Sequence, residues 1–464
     1  MTLHRRAILA AGLAAAPAFA LRAEASGTAR PARTEALRDG GIVPAVRFGI
    51  VGSDTLDQTA KLQAAIDETA SAGVGLLLPS GPVLTRRITL RERTWLLAPP
   101  GAAGLIAAAP GAVLAGRDLR DVRRDGVVID GAARSSADDR GAVALTSCRN
   151  IRVTDCTIRN AGDAALVLTG VSGRITGTTI ERARSTGIFA TDSHGLEISA
   201  CSVSGCSDND ILVWRSRHGE DGTILRDNRI ARIGAQSGGT GQYGNGINIY
   251  RASSVTVTGN CITDCAFTAV RANESGNVII SANSCERLGE VALYVEAADE
   301  RAGAAGWEGA IVSGNLVDHA ATGISVTNFN NGGRLALIEG NIVRNLFRRE
   351  ADPRDKRGEG IGVEADAIVS GNVVEGAPTA GILIGWGRYM REVLTTGNLV
   401  RRSRIGIAVT GTAGAGRCLI AQNMISGATD GAIRAMDHAR PIGPDLAGGT
   451  GGPAHVTLAG NLSV

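Results

Sequence analysis

The chain has 464 residues, a formal net charge of +3, and a composition that is 44% hydrophobic but only 3% aromatic. The near-neutral balance implies no strong electrostatic partner. No basic run is interleaved with aromatics as single-strand binding needs, so nucleic acid is not an expected partner. Sixty-three glycines without a Gly-X-Y period exclude collagen and suit many short strands joined by tight turns.

At the start, His4, Arg5 and Arg6 precede an apolar run from Ala7 to Ala16, followed by Ala18, Phe19 and Ala20. A charged start, a short apolar stretch and an A-x-A site read as an export signal over residues 1–20. The run is too short to span a bilayer stably. Its arginine pair resembles a twin-arginine signal, which predicts the twin-arginine machinery as a partner and a periplasmic or secreted location. Residues 21–44 read as a flexible segment. Residues 45–464 read as one domain, with a cap over 45–85 and coils over 86–464. Eight cysteines carry no CxxC or zinc spacing, and the repeat described below accounts for most of them as reduced, structural residues.

Leu56 to Ala72 has helical spacing, with Leu62, Ala65, Ile66 and Thr69 on one face and Gly73 as its stop. Strand, turn and strand follow in "GVGLLLPSGPVLTRRITL". An amphipathic helix laid over the first coil would cover an edge that otherwise invites pairing with another chain.

From Cys156 onward one phrase recurs, in forms such as "SGNLV", "EGNIV", "SGNVV" and "TGNLV". Aligned on its second position, it has twelve copies spaced by 22 to 38 residues. A second phrase, small–aliphatic–x–aliphatic, lies between most copies: "GINI" from Gly246, "ALYV" from Ala292, "GILI" from Gly381. Its period-two alternation marks a strand with one buried face. Each unit therefore holds at least two strands, and insertions are tolerated because each coil touches only its neighbours. The reading is an all-β, right-handed parallel β-helix of about twelve coils with a short N-terminal capping helix. Stacking puts Asn228, Asn260, Asn283, Asn315, Asn341, Asn372, Asn398 and Asn423 in one column. There they can bond amide to amide and occupy the left-handed corner conformation that Asn tolerates. Cys156 and Cys201 fall in the same column.

The opening of the domain, "TLDQTAKLQAAIDETASAGVGLLLPSG", is similar to the opening of many pectate-lyase-like β-helix proteins, and "GVVIDGAA" from Gly126 resembles a typical early coil. The whole layout resembles the uncharacterised twin-arginine-translocated repeat proteins. The resemblance implies carbohydrate lyases, hydrolases, epimerases or non-enzymatic binders. No catalytic motif of these families can be placed residue by residue, and the paired Asp of polygalacturonase-like hydrolases has no counterpart.

Alternate residues of a strand face outward. The second phrase thus yields two outward columns that are small or apolar at both ends. The central coils carry Trp214, Asn248, Tyr250, Arg271, Asn273, Tyr294, Glu296 and Glu364, with Arg251, Glu274, Asn328 and Asp366 just beyond. Flat apolar faces beside amides, carboxylates and guanidinium groups suit sugars. The expected function is binding and cleavage of an acidic polysaccharide by a monomer, with a lyase favoured over a hydrolase. The alternative is a non-catalytic carbohydrate-binding or structural repeat protein. Arg271, Tyr294, Glu296 and Glu364 are the candidate catalytic residues. Trp214, Asn248, Tyr250, Arg251, Asn273, Glu274 and Asn328 are the candidate binding residues. Glu296 and Glu364, two coils apart at about 9.6 Å, lie near the spacing of an inverting hydrolase. Glu274, Glu296, Glu364 and Asp366 could instead hold Ca²⁺, the one cofactor considered. Insertions at 215–222, 298–309, 328–334, 234–245 and 348–360 would wall a groove.

Overall fold

Three strands make each coil. The computed structural model describes residues 41–99, 101–135, 140–297, 308–327, 333–350, 352, 356–449 and 451–464. The export signal expected over 1–20 and the candidate Asn328 lie outside the described residues. A typical coil runs Val278–Ser281, Ser284–Leu288 and Val291–Glu296. Corresponding strands stack in parallel into sheets A, B and C of 16, 15 and 15 strands. Among the described strands only the last of sheet C, Arg440–Asp445, pairs antiparallel. This is the expected β-helix, but with more turns than the dozen counted from the recurring phrase, because the first coils precede Cys156 and lack it.

The interior is a continuous aliphatic core in which most strands bury one or more side chains fully, such as Ile280, Leu293, Val317 and Ile361. At the N-terminal end α1 (Thr59–Ala72) buries Leu62, Ala65, Ile66, Thr69 and Ala70, and Gly73 ends it in the left-handed region at φ 73°. The stretch assigned to a flexible segment, 21–44, ends in an ordered strand: Ile42–Pro44 pairs with Gly75–Leu77.

The Asn column runs along the corner between sheets A and B. Asn315 shows the pattern. Its Nδ2 donates to Asn341 Oδ1 at 3.0 Å and to the Ile280 carbonyl at 2.9 Å. Its own Oδ1 accepts from Asn283 Nδ2 and Asn283 N, both at 3.0 Å. The same exchange links Asn228 through Asn260, Asn283, Asn315, Asn341, Asn372, Asn398 and Asn423 to Asn461. At its N-terminal end Cys201 N donates to Asn228 Oδ1 at 3.0 Å. The left-handed residue of the corner is not the Asn, as expected, but the one before it. Gly314, Gly340, Gly371 and Gly397 have φ of 62°, 63°, 63° and 65°. Freed from the left-handed position, the Asn aims its amide along the stack.

All eight cysteines are free, and all but Cys261 are buried. Burial pushes the Cys201 thiol up to about 11 and those of Cys285 and Cys418 up to about 12, away from nucleophilic use. Two charged residues point into the core. Arg124 is 1% exposed, and its three side-chain nitrogens have no partner among the described residues. Asp210 stands where neighbouring coils carry Gly187 and Gly246, and it is 0% exposed. Burial pushes its carboxyl up to about 8.

Two predictions follow from the interior. Asn315→Ala should lower unfolding free energy by about 1–3 kcal/mol for each buried group left unpaired, read as a lower urea midpoint. The loss should be smaller at Asn461, which ends the chain of amides and is only partly buried. Asp210 takes up a proton on folding between its unfolded value near 3.8 and about 8. Its contribution to stability is therefore complete below about pH 4 and fades as pH rises through about 8. Urea unfolding of Asp210→Asn should be flatter across that window, with the variant gaining most on the wild type at the alkaline end.

Candidate functional site

The register of sheet C sets the site. Leu212, Asn248, Arg271, Tyr294 and Ser325 are successive partners in one outward column. Trp214, Tyr250, Asn273, Glu296 and Thr327 follow one another in the second. Adjacent strands are about 4.8 Å apart, so these side chains are obligatory neighbours. Between them lies a recess of about 310 Å³ lined by Trp214, Gln242, Asn248, Tyr250, Arg271, Asn273 and Glu296, together with Gly241.

Aromatic edges form one wall: the ring centroids of Phe189 and Trp214 are 5.3 Å apart and those of Trp214 and Tyr250 are 5.7 Å apart. The polar wall is built around Glu296. Its Oε1 accepts from Arg271 Nε and from Asn273 Nδ2, each at 2.7 Å. The Arg271 guanidinium also lies over the Tyr294 ring, 4.9 Å from its centroid, with that of Arg357 at 5.8 Å. Burial, and then the Glu296 charge, push the Tyr294 hydroxyl up to about 12. Tyr294 therefore holds its proton at neutral pH and can donate it, but is not poised as a base. A parallel arrangement sits at the coil edge, where Arg251 Nε donates to Glu274 Oε2 at 2.6 Å and stacks on Tyr250 at 4.7 Å.

The structure thus gathers Trp214, Asn248, Tyr250, Arg271, Asn273 and Glu296 around one recess, with Tyr294 alongside and the Arg251–Glu274 pair at the rim. Glu364 is not part of it. It is 5% exposed and absent from the recess lining, two coils beyond Glu296. The four carboxylates considered for Ca²⁺ do not converge. Glu274 faces Arg251, Glu296 faces Arg271, and both Asp366 oxygens take bonds from Arg391 at 2.8 and 2.7 Å. Among the described residues no three His, Cys, Asp or Glu side chains are gathered as metal ligands. The insertion at 215–222 is not a loop: the strand Asn209–Glu220 continues through it, with a register shift between Trp214 and Gly219. His218 on that extension is exposed, 3.3 Å from Ser253 Oγ.

The sequence reading missed the contribution of 234–245 at residue level. Gly241 offers its carbonyl to Asn248 Nδ2 at 3.1 Å, Gln242 lines the recess, and Thr240 Oγ1 accepts from Arg271 Nη1 at 3.4 Å. It also missed Glu290. That residue is 2% exposed, bonds Thr240 Oγ1, and faces Arg349 at 3.3 Å and Arg357 at 3.6 Å. Glu290 thereby ties the insertions 234–245 and 348–360 to the same coil. A loop has no period, so nothing in the repeat marks these residues.

A family model described as the right handed beta helix region matches residues 116–284, 164–332 and 237–400, together more than half of the chain. The chain belongs to the right-handed β-helix family. No curated protein matches this member in sequence. Among solved structures, the β-helix resembles PfbA, a surface adhesin of Streptococcus pneumoniae, at 13% identity and a TM-score of 0.53, covering 85% of this chain and 91% of that one. The A-module of the mannuronan C-5 epimerase AlgE4 of Azotobacter vinelandii is 13% identical over 90% of this chain and 95% of that one, with a TM-score of 0.33. The enzymatically active domain of tailspike protein 2 of bacteriophage CBA120 is 12% identical over 71% of this chain and 47% of that one, with a TM-score of 0.47. At these identities the likeness concerns the fold alone.

The coupling inside the site can be read spectroscopically. Glu296→Gln removes the charge that, after burial, raises Tyr294. The Tyr294 phenol should then titrate below about 12, seen as phenolate absorbance at lower pH and assigned by its loss in Tyr294→Phe.

Proposed function

We propose that this protein binds an acidic polysaccharide along the outer face of sheet C, centred on the recess between Trp214 and Glu296. One observation carries the reading. In a chain of only 3% aromatics, Phe189, Trp214 and Tyr250 stand on three successive coils and Tyr294 two coils beyond Tyr250, beside buried amide and carboxylate groups. Pyranose rings offer apolar faces for the aromatics and hydroxyls for Asn248, Asn273 and Glu296. The anionic character rests on the same face further along. There Arg348, Lys356, Arg357 and Arg404 line a second recess of about 340 Å³ with Glu359, Leu383, Trp386 and Ala408, each of the four basic side chains also meeting an acidic partner, Glu350, Glu290 or Asp430. The adhesin, epimerase and tailspike neighbours are consistent with surface and glycan roles, without naming the glycan.

The ion pairs favour holding the glycan over cutting it. Arg271 is occupied by Glu296, and no unpaired base faces Tyr294 among the recess-lining residues. A second reading, elimination by a polysaccharide lyase, draws on Tyr294 as the proton donor to the leaving sugar oxygen. The arginine-pair segment is read as an export signal, which would put the binding face in the periplasm or outside the cell.

Both readings are tested on acidic and neutral polysaccharides. For the binder, Trp214→Ala and Arg271→Ala should each weaken binding about tenfold or more, equivalent to about 1.4 kcal/mol, with no product formed. Unsaturated uronate absorbance that disappears in Tyr294→Phe would establish the lyase. Unchanged affinity in both binding variants would move the site off sheet C.

A further inference from the structure

The recurring phrase leaves one position unexplained. In "GNLV" the Asn bonds along the stack and the last aliphatic is buried, as Val317, Val343, Val374 and Val400 are. The residue between them faces out. On sheet B this column reads Leu316, Ile342, Val373, Leu399 and Met424, one per coil. Across the Asn corner, sheet A carries a second outward column: Ile311, Leu337, Ile368, Leu394 and Leu419. Ile311, Ile342, Ile368, Leu419 and Met424 are 39%, 44%, 42%, 38% and 44% exposed. Between the columns the corner residues are small or uncharged, Ser313, Ser370, Thr396 and Ala421, with Glu339 the one charge.

The fold does not need these side chains. The same two columns in the earlier coils hold Arg152, Arg174 and Glu197 on sheet A, and Thr157, Thr179 and Ser202 on sheet B. Those coils stack equally well. The aliphatic columns are therefore a surface feature, and they lie on the corner away from sheet C.

We infer that this face is the contact between two copies of this chain, packed about a two-fold axis. Its size fits. Five coils at about 4.8 Å, by about six residues at about 3.3 Å, give roughly 500 Å², at the upper end of the apolar patch a monomer carries. With the charged rims on either side it reaches the ~800 Å² per partner of a standard interface. The anatomy fits too. Asp366–Arg391 borders the face on sheet A, and Asp318–Arg344 with Glu375–Arg401 borders it on sheet B. An apolar centre inside a rim of both signs is self-complementary. The pitch is the most selective feature. Ridges repeating every coil, beside a recess of about 480 Å³ ringed by Ile279, Ile311, Leu335 and Ile368, match a surface with the same repeat. A second copy has it. An isologous contact uses one patch twice, with the axis through the central coil of the five, at Ile368 and Val373. A dimer replaces the monomer expected from sequence and leaves both sheet C faces open on opposite sides.

Sedimentation of the full chain should give twice the chain mass, and about the chain mass for Ile342→Lys with Ile368→Lys. Both sites are exposed, and far-UV circular dichroism and the urea midpoint should confirm that the variant folds. Lysine at Thr179, in the same sheet B column, should leave the dimer intact. Independently of that variant, Ser370→Cys lies nearest the axis and should form a covalent dimer under mild oxidation. A wild-type monomer across the micromolar range overturns the inference, as does a dimer that survives both lysines. It is also overturned by a monomer that floats with phosphatidylcholine–phosphatidylglycerol vesicles, which would assign the face to a membrane. None of these outcomes depends on the glycan reading, since the binding variants lie on sheet C.

Discussion

The structure depends on keeping coil above coil in register, and one hydrogen-bond exchange does much of that work. A parallel stack slipped by one residue would turn every core side chain outward. Backbone bonds alone resist such a slip weakly, since they re-form in the new register. The Asn column resists it strongly. Each amide donates to the next Asn and to a strand carbonyl of the previous coil, so a slip would orphan several buried groups at once. Those groups sit at 0–1% exposure from Asn228 to Asn423, where an unmade bond costs the full desolvation of the group. The coils before Asn228, with Cys156, Thr178 and Cys201 at the corresponding positions, stack without this amide exchange. Their register rests on aliphatic packing and on the cap that α1 makes at the first coil.

Because register is held at the A–B corner, the outward faces are free to vary. Sheet C uses that freedom for chemistry. Placing Arg271 one strand from Tyr294 and one diagonal from Glu296 determines which groups meet before any ligand arrives. The result is a preorganised polar wall: Glu296 is held by two donors, Arg271 by a carboxylate and a ring, and Tyr294 keeps its proton because it is buried beside a charge. Such a wall would meet the hydroxyls of the proposed sugar ligand with little reorganisation. It also commits the very groups that an acid–base mechanism would have to free.

What the sequence made legible follows from the same division. The Asn column could be read because amide-to-amide bonding demands the same residue in each coil. The sheet C columns could be read because their strands alternate cleanly. Sheet A escaped notice, since in "AIVS" and "LALIE" the outward Ile311 and Leu337 are as apolar as the inward Val312 and Ile338, which erases the period of two. The first coils escaped because they lack the Asn phrase. In the site, the neighbours were legible but the partners were not. Which donor Glu296 accepts from depends on side-chain reach. Gly241, Thr240 and Gln242 come from a loop with no period, and Glu290 is buried where the phrase placed an unremarkable turn.

The missed strand and the aliphatic face have one cause. A strand that is apolar on both sides is ambiguous in sequence because it has two interiors to satisfy. In an isolated solenoid one of them is wet. Burying an aliphatic side chain is favourable by about 25 cal/mol per Å², so leaving five of the ten about two-fifths exposed, and the rest half-buried, carries a standing cost in water that the polar columns of the earlier coils avoid. Stacking up the column recovers part of that cost, yet threonine and valine would recover nearly as much at less exposure. The chain keeps leucine, isoleucine or methionine at nine of these ten positions, with Val373 the tenth, while the sheet A column passes through Ile279, Thr256 and Ile224 before it reaches Glu197 and Arg174 in the early coils. A surface that changes character along the stack, in a fold indifferent to the change, is shaped by what it meets. The two sides of this solenoid then divide the labour: one face is preorganised for a polar ligand, and the opposite corner sets how many such faces act together.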